Sequence, residues 1–171
     1  MKFIRFISLL FMSACACSMA AEPVMQPPPV PPAKMATALE QTNFITEHKP
    51  NPHAQYYMFF YTASWCSPCR AVMPKIIAEY SRMMTNRYME VIVVSFDDTP
   101  EEALAYLSKC QAPFAAVMNN SAEPAKMPGC LTDVCSVPHI VVVSANGDFV
   151  YRGHALRFAE WQQRTATFAQ Q

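Results

Sequence analysis

The stretch that most constrains this chain runs from Tyr56 to Tyr80, where an apolar run, a pair of cysteines and a helical repeat follow one another. The aromatic-rich segment Tyr56 to Tyr61 reads as a buried strand. It ends at Thr62-Ala63-Ser64-Trp65, and Cys66-Ser67-Pro68-Cys69-Arg70 follows at once. Beyond Cys69, Val72, Met73, Ile76, Ile77 and Tyr80 recur at three- and four-residue steps, the spacing of one helix face. Cys66 is therefore expected at the N-terminal end of a helix that follows directly on a strand. Free N–H groups and the positive end of the helix dipole gather there, and both favour a thiolate over a thiol. Pro68 has no N–H to lose in a first helical turn. Cys69, one turn along, is placed to attack a mixed disulfide formed at Cys66. The chemistry implied is thiol–disulfide exchange. Zinc sites also use two cysteines at this spacing, but they need a second pair of ligands to complete the shell.

The run Tyr61-Thr62-Ala63-Ser64-Trp65-Cys66-Ser67-Pro68-Cys69-Arg70 resembles the thioredoxin superfamily. Within it, the run is most similar to the tryparedoxin and nucleoredoxin branch and to bacterial exported thiol–disulfide oxidoreductases. The likeness continues at Pro74, at Val91-Ile92-Val93-Val94-Ser95-Phe96-Asp97 followed by Glu101-Glu102, and at Val137-Pro138 followed by Ile140 to Val143. It covers about residues 53 to 160. The resemblance implies a three-layer α/β/α sandwich with a mixed central sheet, with Cys66 as nucleophile and Cys69 as resolving thiol. It implies that Pro138 is cis and packs against the cysteine pair. It also implies a docking surface of Trp65, Pro68, Val137 and Pro138, on which the Val137 backbone pairs with an extended substrate segment. Two positions depart from the pattern. The centre of the motif reads Ser67-Pro68 instead of Pro-Pro, and Phe60 stands where thioredoxin carries a buried aspartate.

With 171 residues the chain is long enough for one domain with a real core. Its 13 basic residues balance 13 acidic ones, with no basic run, so nucleic acid is not an expected partner. Seven cysteines are many for this length, and such usage suits an oxidising compartment outside the cytoplasm. Two of them, Cys15 and Cys17, fall in a leader. The remaining five, Cys66, Cys69, Cys110, Cys130 and Cys135, are odd in number, so at least one is unpaired within the chain.

Residues 1–20 have the form of an export signal: Lys2 and Arg5, an apolar centre from Phe6 to Met12, and Ser18-Met19-Ala20 as a cleavage site. Cleavage there gives a periplasmic or secreted protein. The alternative is a lipoprotein anchored at Cys15, with Met12-Ser13-Ala14-Cys15 as a poor lipid-attachment box. Residues 21–33 are a proline-rich linker, extended and semi-rigid. Residues 34–171 are the expected thioredoxin-like domain.

Inside that domain, Met35, Ala38, Leu39, Thr42 and Ile45 share a face and predict a helix over 34–48. Strands are then expected at about 55–61, 90–96, 114–118, 138–144 and 148–152, with helices over 67–84, 99–110 and 156–169. Asp98-Thr99-Pro100-Glu101-Glu102 is a helix start, and Asn146-Gly147 is a tight turn between two strands. The alternation of strand and helix is that of an α/β sandwich. Residues 119–136 read as an irregular insertion.

Cys130 and Cys135 lie just before Val137-Pro138, and three pairings are open for them. They form a second disulfide that staples the insertion, or a second redox pair that exchanges with Cys66, or one of them bonds Cys110. A zinc site from Cys130, Cys135 and His139 lacks an evident fourth ligand. His139 either faces the cysteine pair or points to solvent. The scattered methionines read as core and filler. The reading drawn from all this is an exported thiol–disulfide oxidoreductase, favoured as a reductant, with no cofactor and no metal. Its partners would be disulfide- or cysteine-containing exported proteins and a membrane thiol donor or oxidant. The alternative is a metal-binding or metallochaperone module on the same fold.

Overall fold

A computed structural model of the protein describes residues 33–84 and 88–157. The leader at 1–20, the linker up to residue 32 and the C-terminal helix expected from residue 158 onward lie outside the described residues. Nine elements follow in order: α1 (Lys34–Gln41), β1 (Tyr56–Thr62), α2 (Ser67–Met84), β2 (Met89–Ser95), α3 (Pro100–Lys109), β3 (Ala115–Met118), α4 (Glu123–Lys126), β4 (His139–Ser144) and β5 (Phe149–His154).

The strands form one mixed sheet in the order β3-β2-β1-β4-β5. β1 runs parallel to β2 and antiparallel to β4, so it is hydrogen-bonded on both edges. β2 and β3 are parallel, while β4 and β5 form an antiparallel hairpin with an irregularity between Val142 and Val143. Because side chains alternate along a strand, each strand feeds two cores. Met58, Phe60, Val91, Val93, Ile140 and Val142 pack beneath α2 and α3. Tyr57, Phe59, Tyr61, Ile92, Val94, Val141 and Val143 pack on the other face with Met35 and Leu39 of α1 and with Met127 and Val134 of the insertion. A strand covered on both faces reads as an unbroken apolar run, which is what β1 and β2 show. The result is a thioredoxin-like fold, with helices on both faces of a five-stranded sheet.

α3 begins as its sequence says it should. The Thr99 side chain accepts from Glu102 N, the Glu102 carboxylate accepts from Thr99 N, and Pro100 opens the first turn. α1 does not reach residue 48. It ends at Gln41, and Thr42 turns to extended backbone. The reason is long-range competition for backbone groups. Asn43 N donates to the Glu123 carboxylate at 2.8 Å, and Ile45 N donates to Ala116 O of β3 at 2.8 Å. Thr46 Oγ1 accepts from Ala116 N at 3.0 Å. Ile45 still packs on the core, but from a segment laid along the β3 edge instead of from a helix. The insertion also holds more order than its sequence suggests, since it contains α4. Gly147, at φ +88, turns β4 into β5 so closely against Pro128 that a Cβ there would collide with the proline ring.

Candidate active site

The site is built where β1 gives way to α2. Cys66 is the residue before the helix, and Cys69 lies in its first turn. The two are joined as a disulfide with Cα atoms 5.2 Å apart. Cys69 N donates toward Cys66 Sγ at 3.2 Å, so a helix N-terminal N–H is aimed at the sulfur that carries charge once the pair is reduced. Cys69 is wholly buried and Cys66 is 5% exposed, while the preceding residue, Trp65, is 63% exposed. Ala63, Phe96 and Val137 enclose the pair.

The Val137–Pro138 bond is cis. Val137 O lies 3.8 Å from Cys66 Sγ, and Pro138 is buried at the start of β4. Pro68 is exposed on the first turn of α2. The four residues expected to form a docking surface thus come from two separate segments of the chain, and Trp65 and Val137 border one cleft. Trp65 and Pro68 come from the motif, and Val137 and Pro138 from the approach to β4.

A network missing from the sequence reading fixes the turn that carries the motif. Asp97, just past the end of β2, is buried. Its Oδ1 accepts from Ser64 N at 2.9 Å and from Ser64 Oγ at 2.7 Å, and its Oδ2 accepts from Ser95 Oγ at 2.8 Å. From the helix side, Arg70 Nη1 donates to Ser64 O at 2.7 Å. Ser64 is therefore held at both its amide and its carbonyl, two residues before Cys66. The signal that could have found Asp97 is an acidic residue just past an otherwise apolar strand, two positions after Ser95. Phe60, at the position of thioredoxin's aspartate, is fully buried in the core beneath α2. The other buried acid of β2, Glu90, sits at the far end of that strand, about 16 Å along it from Ser95.

The remaining cysteines are spread around this centre. The bridge weighed for Cys130 and Cys135 is not formed; both carry free thiols, as does Cys110. Orientation explains it. Cys130 Sγ turns inward to Tyr61 Oη at 3.6 Å, and that hydroxyl also accepts from Leu131 N at 2.7 Å. Burial pushes the Cys130 thiol up to about 12, so it stays protonated at neutral pH. Cys135 is exposed and borders a cleft of about 270 Å³ with Trp65, Phe96 and Val137. Cys110 caps α3, and burial raises its pKa against the lowering influence of Lys109. His139 does not point to solvent. Its ring meets that of Tyr61 edge-on at 6.2 Å, and burial, helped by Arg152 and His154, lowers its pKa. Among the described residues, no group of three or more His, Cys, Asp or Glu side chains is arranged to hold a metal ion.

A disulfide enclosed by Ala63, Phe96 and Val137, with a helix N–H on one sulfur and a backbone carbonyl beside it, can accept a thiol at Cys66 and expel Cys69. Comparison with known proteins places this geometry. A family model described as thioredoxin-like matches residues 54–149. The thiol:disulfide interchange protein HelX of Rhodobacter capsulatus is 30% identical over 90 residues, which span 53% of this chain and 47% of HelX. Tryparedoxin of Trypanosoma brucei brucei is 25% identical over 87 residues, 51% of this chain and 59% of that protein. The chain thus spans about half the length of these curated relatives. Among solved structures, tryparedoxin II of C. fasciculata superposes with a TM-score of 0.56 at 26% identity, covering 72% of this chain and 87% of the other.

Proposed function

Since the chain belongs to the thioredoxin-like family, we propose that it is an exported thiol–disulfide oxidoreductase acting as a reductant on cysteine-containing proteins. The observation that carries this reading is the Cys69 N–H directed at Cys66 Sγ at the head of α2. In the reduced protein the Cys66 thiolate attacks a substrate disulfide and forms a mixed disulfide, releasing one substrate thiolate. Cys69, once deprotonated, attacks Cys66 Sγ and expels the second substrate thiolate. Two electrons pass to the substrate, and the Cys66–Cys69 disulfide is restored. Trp65 and Pro68 from the motif, with Val137 and Pro138 from the approach to β4, hold the incoming segment at the sulfur.

Support comes from HelX, whose name describes thiol:disulfide interchange, and from the leader-like residues 1–20, which direct the reaction to an exported compartment. A reductant there requires a thiol donor at the membrane, which would restore the dithiol after each turnover. The reaction needs no cofactor, because the cysteine pair itself stores the electrons.

The test is a reduction-potential titration of the Cys66–Cys69 couple, followed by mass-resolved alkylation. A value near about −270 mV is expected for a reductant, and one near about −120 mV would assign the opposite direction. Cys66→Ser should abolish reduction of a protein disulfide, and Cys69→Ser should stop the reaction at a mixed disulfide. Full activity in Cys66→Ser would sink the proposal.

A further inference from the structure

A cleft runs between α2 and α3, away from the redox turn. Its upper part, about 410 Å³, is bordered by Ser64, Arg70, Glu102, Ala105, Tyr106 and Lys109. A lower part of about 510 Å³ shares Arg70, Tyr106 and Lys109 and continues past Pro74, Ile77 and Ala78 to Cys110. The walls are mostly apolar, and Tyr106, its hydroxyl turned toward Thr62, forms part of the floor. From Arg70 to Ala78 the cleft follows α2 for about 12 Å, the length of roughly four extended residues.

The charge on its rim is uneven. Arg70 uses Nη1 on the Ser64 carbonyl, and Arg70 and Lys109 form no ion pair with an acid among the described residues. The one acid in the lining, Glu102, is turned back into the helix cap, where its Oε2 accepts from Asp98 N and Thr99 N. Two cations therefore overhang an apolar trough whose upper end touches Ser64, two residues from Cys66.

We propose that this cleft seats an acidic, partly apolar segment of the substrate protein, with Lys109 setting the preference for negative charge. The inference rests on the oxidoreductase reading above and adds the substrate class. A segment lying along α2 delivers a nearby cysteine to Cys66 and raises its effective concentration there. Lys109 is the residue to change, because Arg70 also holds the redox turn.

The experiment uses the full-length protein, reduced and freed of reductant, in single-turnover reactions with three probes. Two are synthetic cyclic-disulfide peptides identical except for an arm of one leucine with three aspartates or with three lysines. The third is the uncharged bis(2-hydroxyethyl) disulfide. The aspartate peptide is expected to react about tenfold faster than the lysine peptide, a preference that shrinks as salt screens the rim. Lys109→Glu should reverse the order, Lys109→Arg should keep it, and neither should change the rate with the uncharged disulfide. An unchanged ranking in Lys109→Glu overturns the docking proposal while leaving the redox reading intact. A failure of all three probes to react with the unaltered protein overturns the redox reading, and the docking proposal with it. Oxidised glutathione serves as a control beside these probes. If it loses as much rate as the aspartate peptide in Lys109→Glu, the cleft serves a small carboxylate and the protein-segment proposal falls.

Discussion

Asp97 shows how much of a redox turn depends on a residue that never meets the sulfur. Its carboxylate receives three hydrogen bonds, two from Ser64 and one from Ser95, and it is buried. Asp97→Ala leaves those donors without their acceptor and should cost about 2–4 kcal/mol, measured by urea unfolding. Asp97→Asn keeps an acceptor for Ser64 and should cost less. A positioning role has a second readout. The pH midpoint for Cys66 alkylation should move in Asp97→Ala, since the N–H groups at the head of α2 lose their fixed register on the sulfur; an unmoved midpoint would reduce Asp97 to a purely structural residue. The cysteine pair itself was legible in the sequence because strand, motif and helix are contiguous, so local periodicity placed Cys66 without knowledge of the fold. Asp97 was not, because its partner Ser64 lies 33 residues away and only the parallel pairing of β1 with β2 brings them together. The free state of Cys130 was equally hidden, since it depends on Tyr61, 69 residues earlier.

At the scale of elements, β2 carries a titrating group into the core. Glu90 is buried, accepts from Tyr80 Oη at 3.3 Å, and lies 4.0 Å from His48 Nε2. Burial pushes its pKa from 4.5 to about 7, with the Tyr80 hydrogen bond and a backbone contact from Asn51 opposing. Between those two values the folded chain holds a proton that the unfolded chain has released. Stability from this group is therefore complete below about pH 4.5 and declines as pH rises through 7, by an amount on the order of 3 kcal/mol. Glu90→Gln should remove that decline. Urea midpoints at pH 5.5 and 8 should then lie closer together than in the unaltered protein, and an unchanged gap would refute the assignment. The start of α3 gives a simpler test. Thr99→Ala removes one half of the capping box and should cost about 1 kcal/mol by thermal unfolding. That box was readable because its two partners are three residues apart. The end of α1 was not, since the groups that stop it, Glu123 and Ala116, come from the other side of the chain.

Across the whole molecule the two cores differ in what they do. The one beneath α2 and α3 joins the redox helix to the sheet, while the one beneath α1 and the insertion holds the approach to Val137 and Pro138 in place. The reactive disulfide lies just past the C-terminal end of β1, packed against Phe96 and Val137, which also border the second core. The overall architecture followed from alternating apolar strands and periodic helices, because every strand but β5 is nearly or wholly buried and so wears its pattern openly. The double pairing of β1 has a dynamic consequence. Its amides from Tyr56 to Tyr61 are flanked by β2 on one edge and β4 on the other. In heavy water these protons should be among the last to exchange, opening only when the domain unfolds globally, while those of β5 exchange early. The reacting sulfur thus stands a few residues from the most persistent backbone in the protein. The motion needed to trade one disulfide for another is confined to the turn itself, with an unyielding strand behind it to bear the recoil.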